Sequence, residues 1–189
     1  PDFDTPLRIR EKAKEALEVI LRKNPLPFMT GTICAHNCMS KCTRNFYETP
    51  VNIRRTKLEA AEGGFEAVLS ELHKPEITAD KKAAVIGGGP AGMAAAYFLA
   101  KGGMEVTIFE KEKKLGGVVR NVIPGFRISD EAIDKDVKIL EALGVQIATE
   151  SYVASLEQVR ENYDYIVLAV GAYKPGILRL EEGEAVNAL

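Results

Sequence analysis

The chain has 189 residues, 46% of them hydrophobic and 28% charged, and its 25 Lys and Arg against 27 Asp and Glu leave a net charge of −2. That length accommodates a small helical domain and most of one α/β domain, and the near-neutral balance excludes a basic face for nucleic acid. Three cysteines, an odd count, argue against a disulfide framework and for free thiols in a cytoplasmic setting.

The first helix is expected to take Asp4 or Thr5 as its cap and Pro6 in its first turn. Ile9, Ala13, Ala16, Leu17, Ile20 and Leu21 would form one apolar face that ends before Pro25. No signal-peptide pattern precedes it. Cys34, Cys38 and Cys42 then recur at every fourth residue, a spacing that on a helix places three thiols near one face. Clustered thiolates suit a soft metal or an iron–sulfur cluster. Zinc, with His36 completing a Cys3His set, competes with that reading, although on a helix His36 would point away from the thiol face; thiols without metal are the third possibility. A second helical stretch is expected from about Ile53 to His73, interrupted at Gly63-Gly64, with His73 at the surface near its end. Glu76 to Lys82 reads as a linker.

Ala83 to Ala100, AAVIGGGPAGMAAAYFLA, carries no charge and is long enough to reach across a bilayer. Its glycine loop and Pro90 would break a spanning helix where lipid cannot satisfy the backbone, so no membrane segment is expected. Ala83 to Ile86 reads instead as a buried parallel strand and Pro90 to Leu99 as the helix after it. Gly87, Gly89 and Gly92 lie at the join with the spacing of a dinucleotide fingerprint. Gly87 permits the turn, Gly89 admits a diphosphate against the backbone, and Gly92 lets helix pack on strand. Pro90 and Ala91 open a helix whose free amides and dipole would receive the diphosphate. Glu105 to Glu110 reads as the second strand, closing on an acid placed to meet ribose hydroxyls. A carboxylate there disfavours a 2′-phosphate, so NADP is not the expected ligand of this fingerprint. Farther on, Ser129 can cap a helix to Leu143, stopped by Gly144, with Val145 to Ile147 as a strand. Tyr163 to Ala172 reads as a buried strand ending in the small-residue turn Ala169-Val170-Gly171. No Gly-x-Ser-x-Gly elbow, His-Glu-x-x-His or paired acids with a positioned base occurs, so no catalytic side chain is expected.

From Glu110 and Lys111 to Gly116-Gly117, the chain resembles the FAD-binding module of the two-dinucleotide-domain flavoprotein reductases. Ala169-Val170-Gly171 is similar to their Ala-Thr-Gly segment, with Val170 where Thr is usual. The segment Asn24 to Cys34, with Cys38, Cys42 and Pro50-Val51-Asn52-Ile53, resembles the N-terminal iron–sulfur domain of the glutamate synthase small subunit and of dihydropyrimidine dehydrogenase. Iron–sulfur flavoproteins described as selenate reductase subunits look most similar. The resemblance implies an α/β fold class: a small all-helical iron–sulfur-type domain over 1–75, a linker over 76–82, and a Rossmann-like FAD-binding domain over 83–189. The last of these is expected to be incomplete at its C-terminus, so that the chain is a fragment.

As cofactor-binding residues the resemblance implies Gly87, Gly89, Pro90, Ala91, Gly92, Glu110, Lys111, Gly116, Gly117, Ala169 and Gly171, and as metal ligands Cys34, Cys38 and Cys42. Cys34 and Cys38 match positions serving one [4Fe-4S] cluster and Cys42 a ligand of another. Lys57 aligns with a Glu or Gln ligand, and since an ammonium cannot coordinate iron, either nearby Glu59 substitutes or the cluster's fourth ligand differs. Ile123-Pro124-Gly125-Phe126-Arg127 belongs to the same motif order, and Arg127 reads as either a flavin neighbour or a surface Arg. The implied function is oxidation of NAD(P)H at FAD, with electrons passed through iron–sulfur clusters to a catalytic reductase or synthase subunit or domain, because a flavin converts a hydride into single electrons. A thiol-dependent FAD reductase using Cys34 or Cys38 and a non-catalytic interaction module are the other readings.

Overall fold

A computed structural model describes residues 12–172 together with 176–178 and 186–188. The expected cap at Asp4 or Thr5, with Pro6 and Ile9, lies outside the described residues. Helix α1 (Ala13–Leu21) buries Ala13, Leu17 and Leu21, one residue per turn on a single face. After a tight turn, α2 (Pro27–Ile33) starts with proline in its first turn, where no amide partner is needed. Helix α3 (Asn37–Ser40) and a 3-10 turn (Thr43–Phe46) lead to α4 (Ile53–Glu71), which Asn52 caps by accepting the Arg55 amide at 3.2 Å.

Two expectations for this half are corrected. Gly63 and Gly64 do not interrupt α4, which is continuous. A Cβ on Gly64 would lie 2.5 Å from the Ala13 carbonyl oxygen, so the glycines let α4 cross α1 at backbone contact. The packing so gained outweighs the helix propensity lost, about 1 kcal/mol per glycine. The cysteines, in turn, do not share one helix. Cys34 is the extended residue that ends α2, His36 turns left-handed at φ 44°, Cys38 sits in α3, and Cys42 is extended again. Almost every residue from 34 to 49 is exposed, so the segment has no buried stripe to hold a helix of useful length.

The second half alternates strand and helix: β1 (Lys82–Ile86), α5 (Pro90–Lys101), β2 (Glu105–Phe109), α6 (Val118–Asn121), α7 (Asp130–Ala142), β3 (Gln146–Ala148), α8 (Glu157–Arg160) and β4 (Tyr165–Leu168). These four strands form a parallel sheet of order β3-β2-β1-β4, with the apolar β1 buried at its centre. Strands β5 (Gly176–Leu178) and β6 (Val186–Ala188) form a separate antiparallel pair. Ser129 caps α7, as its sequence position implies, by accepting the Ala132 amide at 3.3 Å. Strand β4 departs from expectation: it lies at an edge, leaving Tyr165 53% and Leu168 61% exposed. Among the described residues no helix is long and apolar enough to cross a membrane.

One contiguous core joins the halves: Leu17, Leu21, Phe28, Met29 and Phe65 pack together with Met93, Tyr97, Ile139 and Leu140. Phe28 meets Phe65 edge to face at 5.1 Å. Two buried polar contacts cross this boundary. The Tyr97 hydroxyl donates to the Leu21 carbonyl at 2.8 Å, and Asp136, fully buried on α7, accepts the α2 amides of Phe28 at 3.1 Å and Met29 at 2.8 Å. Burial pushes the Asp136 carboxyl up from 3.8 to about 7, against the two amides, which favour the ionised form.

The folded protein therefore holds a proton that the unfolded chain has already released between these two values. Stability from this group is complete below the unfolded value and is lost as pH rises through about 7. On going from about pH 8 to about pH 6, the native protein should gain about 1 kcal/mol of unfolding free energy that Asp136→Asn does not gain. Urea denaturation of both proteins at the two pH values measures it, and parallel pH dependences would contradict the assignment.

Candidate dinucleotide site and thiol turn

The site is built almost wholly from backbone. Strand β1 ends at Ile86, and Gly87 turns the chain at φ 107°, its amide donating to the Phe109 carbonyl at 2.8 Å. Helix α5 begins at Pro90 with Gly89 as its cap and no capping side chain, so its first-turn amides face the mouth of the loop. A Cβ on Gly92 would stand 1.9 Å from the Gly87 carbonyl oxygen, and one on Gly87 would stand 2.4 Å from that of Ala169. Strand, turn and helix therefore close only with glycine at Gly92. Gly89 and Pro90 are half-buried and Ala91 is exposed, which leaves the outer side of the loop open to a ligand.

The second glycine pair lies directly on the first. Gly116 donates its amide to the Gly88 carbonyl at 2.8 Å, and a Cβ on Gly117, where φ is 52°, would stand 2.8 Å from the Gly89 Cα. Glu110, only 6% exposed, ties the two together: Oε2 accepts the Gly88 amide at 2.6 Å and Oε1 the Glu112 amide at 2.9 Å. The acid expected at a ribose thus faces the chain's own glycine loop. Lys111 is exposed at the rim, with Nζ 3.7 Å from Glu112 Oε1. The Ala169 amide donates to the Ile86 carbonyl at 2.8 Å, which sets the last expected segment against the loop, while Gly171 takes φ 71° with open space beside it. All the sequence-expected dinucleotide residues thus fall at the C-terminal end of β1, β2 and β4, the usual crevice of an open parallel sheet.

Arg120 belongs to this constellation and escaped the sequence reading. Its Nε donates to the Leu115 carbonyl at 2.6 Å, and its Nη atoms pair with Asp130, at 3.0 Å, and Asp134. Although Nη1 is close to Asp130, its angle is too poor for a hydrogen bond, so that contact is an ion pair only. The guanidinium anchors the second glycine loop to α7. The only sequence signal was an arginine one helical turn past Gly116-Gly117. Arg127, by contrast, lies on an exposed loop.

The thiols do not form a comparable site. Cys34 and Cys38 are exposed and Cys42 is half-buried. Cys34 Sγ accepts the His36 amide at 3.4 Å. Hydrogen bonds from the Val51 and then the Arg44 backbone hold the Cys42 thiol below its ordinary value. Glu59, the alternative ligand, is paired with Arg55 at 2.8 Å. Among the described residues, no three His, Cys, Asp or Glu side chains are gathered as metal donors. Neither a Cys3His zinc set nor a cluster set is assembled by these residues as they stand.

Residues 7–66 match the family described as dihydropyrimidine dehydrogenase domain II, 4Fe-4S cluster, and residues 85–156 match the NAD(P)-binding Rossmann-like domain. In this chain a 4Fe-4S-type helical domain thus precedes a Rossmann-like dinucleotide domain. The chain is 42% identical over 178 residues to YgfK of Escherichia coli O157:H7, an oxidoreductase by name, covering 93% of this chain and 17% of that protein. It is 30% identical over 175 residues to the glutamate synthase [NADPH] small chain of Bacillus subtilis (strain 168), covering 91% and 36%. It is also 33% identical over 165 residues to the NADPH-Fe(3+) oxidoreductase subunit beta of Geobacter sulfurreducens (strain DL-1 / KN400), covering 85% and 25%. It thus spans well under half the length of each of these relatives. Over both domains the chain is similar to proteins of the FAD/iron–sulfur oxidoreductase family.

Because the Gly92 Cβ would overlap a carbonyl oxygen, Gly92→Ala should lower folding stability by about 1–3 kcal/mol. Gly125→Ala, with nothing within 4 Å of the added methyl, should change it by less than about 0.5 kcal/mol. Urea midpoints of the two variants would show the contrast; similar values would mean that the fingerprint glycines are not held as described.

Proposed function

We propose that the dinucleotide bound at the Gly87–Gly92 loop is FAD. On this reading the whole protein is a cytoplasmic electron-transfer oxidoreductase. It oxidises NAD(P)H at the flavin and delivers electrons through iron–sulfur clusters to a catalytic reductase or synthase subunit or domain. The observation that carries the reading is the second glycine loop lying on the first, because a single dinucleotide fingerprint does not require the Gly116-Gly117 pair. The glutamate synthase small chain and the NADPH-Fe(3+) oxidoreductase subunit, to which the chain is similar, support the redox assignment.

In this proposal Gly87, Gly89, Pro90, Ala91 and Gly92 hold the diphosphate against the start of α5. Lys111 stands at the ribose end, Glu110 braces the loop behind it through the Gly88 and Glu112 amides, and Gly116, Gly117, Ala169 and Gly171 form the remaining backbone walls. When bound, a flavin supplies the conversion between a two-electron hydride and single electrons. The chain's own residues bind and orient, and none is placed as an acid or base. Cys34, Cys38 and Cys42 are the candidate metal ligands. Three thiols fall short of an ordinary four-cysteine cluster and do not converge here, so the cluster part of the proposal rests on the domain match. The segment 76–82 is the proposed boundary between the helical and dinucleotide parts.

Gly89 provides the test, because its φ of −74° admits any residue and its Cβ would meet only the Gly117 Cα, at 3.8 Å. Gly89→Ala should leave the apoprotein fold and urea midpoint unchanged while raising the FAD dissociation constant about tenfold or more, since the methyl occupies the diphosphate's approach. Fluorescence titration of the full-length protein measures this, and unchanged FAD affinity would overturn the assignment.

A further inference from the structure

We infer that Asp136, on the dinucleotide side of the molecule, is a positioning residue for the thiol turn: it grips the helix that ends in Cys34 and so sets where Cys34 and Cys38 stand relative to the dinucleotide loops. Helix α2 is seven residues long, too short to persist by itself. Its first-turn amides at Phe28 and Met29 belong to residues only 1% and 2% exposed, so water cannot serve them. The two carboxylate oxygens of Asp136 take one each. The residue that precedes the helix, Leu26, offers no side chain to cap it. Its start is therefore fixed from α7.

The constraint passes along α2 to the thiol. The Cys34 amide donates to the Thr30 carbonyl at 3.2 Å, which puts Cys34 in register with the helix. From α4, Arg54 Nη1 donates to the Thr32 carbonyl at 3.2 Å, and Leu58 packs on Gly31, holding the flank of α2 but not its start. The left-handed His36 then turns its amide onto Cys34 Sγ and leads into Cys38. With α2 gripped at its first turn and held at its flank, Cys34 has one position relative to α7. Without the Asp136 grip, the start of α2 would carry two buried unsatisfied donors, and the helix would shift or fray to reach water.

The value of this placement for electron transfer rests on the proposed function, whereas the placement itself can be measured with neither FAD nor cluster present. A nitroxide on Cys34, in a chain carrying Cys38→Ser and Cys42→Ser, is paired with a second on the exposed α7 position of Glu141→Cys, and pulsed dipolar spectroscopy reads the distance distribution. With Asp136 intact the distribution should be narrow and unimodal. Asp136→Asn, which keeps a single acceptor oxygen, should make it about twice as wide, and Asp136→Leu wider still or bimodal, at urea concentrations where circular dichroism shows each variant folded. A residue that only contributes to overall stability would lower the midpoint and leave the folded-state distribution unchanged. Should Asp136→Leu fail to fold, Asp136→Asn decides alone, and a distribution in it as narrow as that of the parent overturns the inference.

Discussion

A carboxyl group with no exposure to water, lodged between two amides at the start of a seven-residue helix, is the constraint around which the two halves of this molecule are arranged. Burying such a group without partners would cost several kcal/mol. Here the helix offers orphan donors and the positive end of its dipole, and the carboxyl in turn supplies the cap that the helix's own sequence lacks. Tyr97 makes the companion contact to Leu21 from the first helix of the dinucleotide fold. Iron–sulfur-type and Rossmann-like parts thus share one core, sealed by polar bonds that only a specific docking can satisfy.

The candidate dinucleotide site shows a different economy. Carbonyls and amides of two glycine loops form its walls, and the few side chains near them act on backbone rather than toward the open mouth. Glu110 draws the Gly88 amide inward, and Arg120 holds the Leu115 carbonyl while paired with Asp130 and Asp134. A site of this kind binds by the dipole of a helix and by closeness of approach. In the proposed function the reactive chemistry falls to the cofactor that would lie there.

The thiol segment is the counterexample to both. Its three cysteines lie on an exposed run with little apolar packing, beside the uncovered side chains of Phe46 and Tyr47. A regular spacing of four was consistent with one helical face. Helices in a small protein persist through what they bury, however, and here only two short turns survive. The Gly63-Gly64 pair gave the opposite outcome for the same reason: packing against α1 kept α4 whole where local propensity favoured a break.

Apart from α6, the order of strands and helices from Lys82 to Ala148, the glycine fingerprint, the second glycine pair and the Ser129 cap were legible in the sequence. Each depends on contacts within a few residues: a buried apolar run, a turn that only glycine fits, an oxygen reaching back to the next amides. The domain matches over 7–66 and 85–156 agree with an iron–sulfur-type part followed by a dinucleotide-binding part. Nothing in the local pattern of α7 marked Asp136 as anything other than a surface acid on an amphipathic helix, nor Arg120 as a clamp. Their partners lie at Phe28 and Met29 in another part of the chain and at Asp130 and Asp134 across a loop. The edge position of β4 and the inward turn of Glu110 were equally undetermined until the sheet was assembled. By itself the sequence determined the main strands and helices of the dinucleotide half and the chemistry of its loops. Tertiary structure alone decided which buried polar groups find each other, because their desolvation is repaid only by partners brought close through folding.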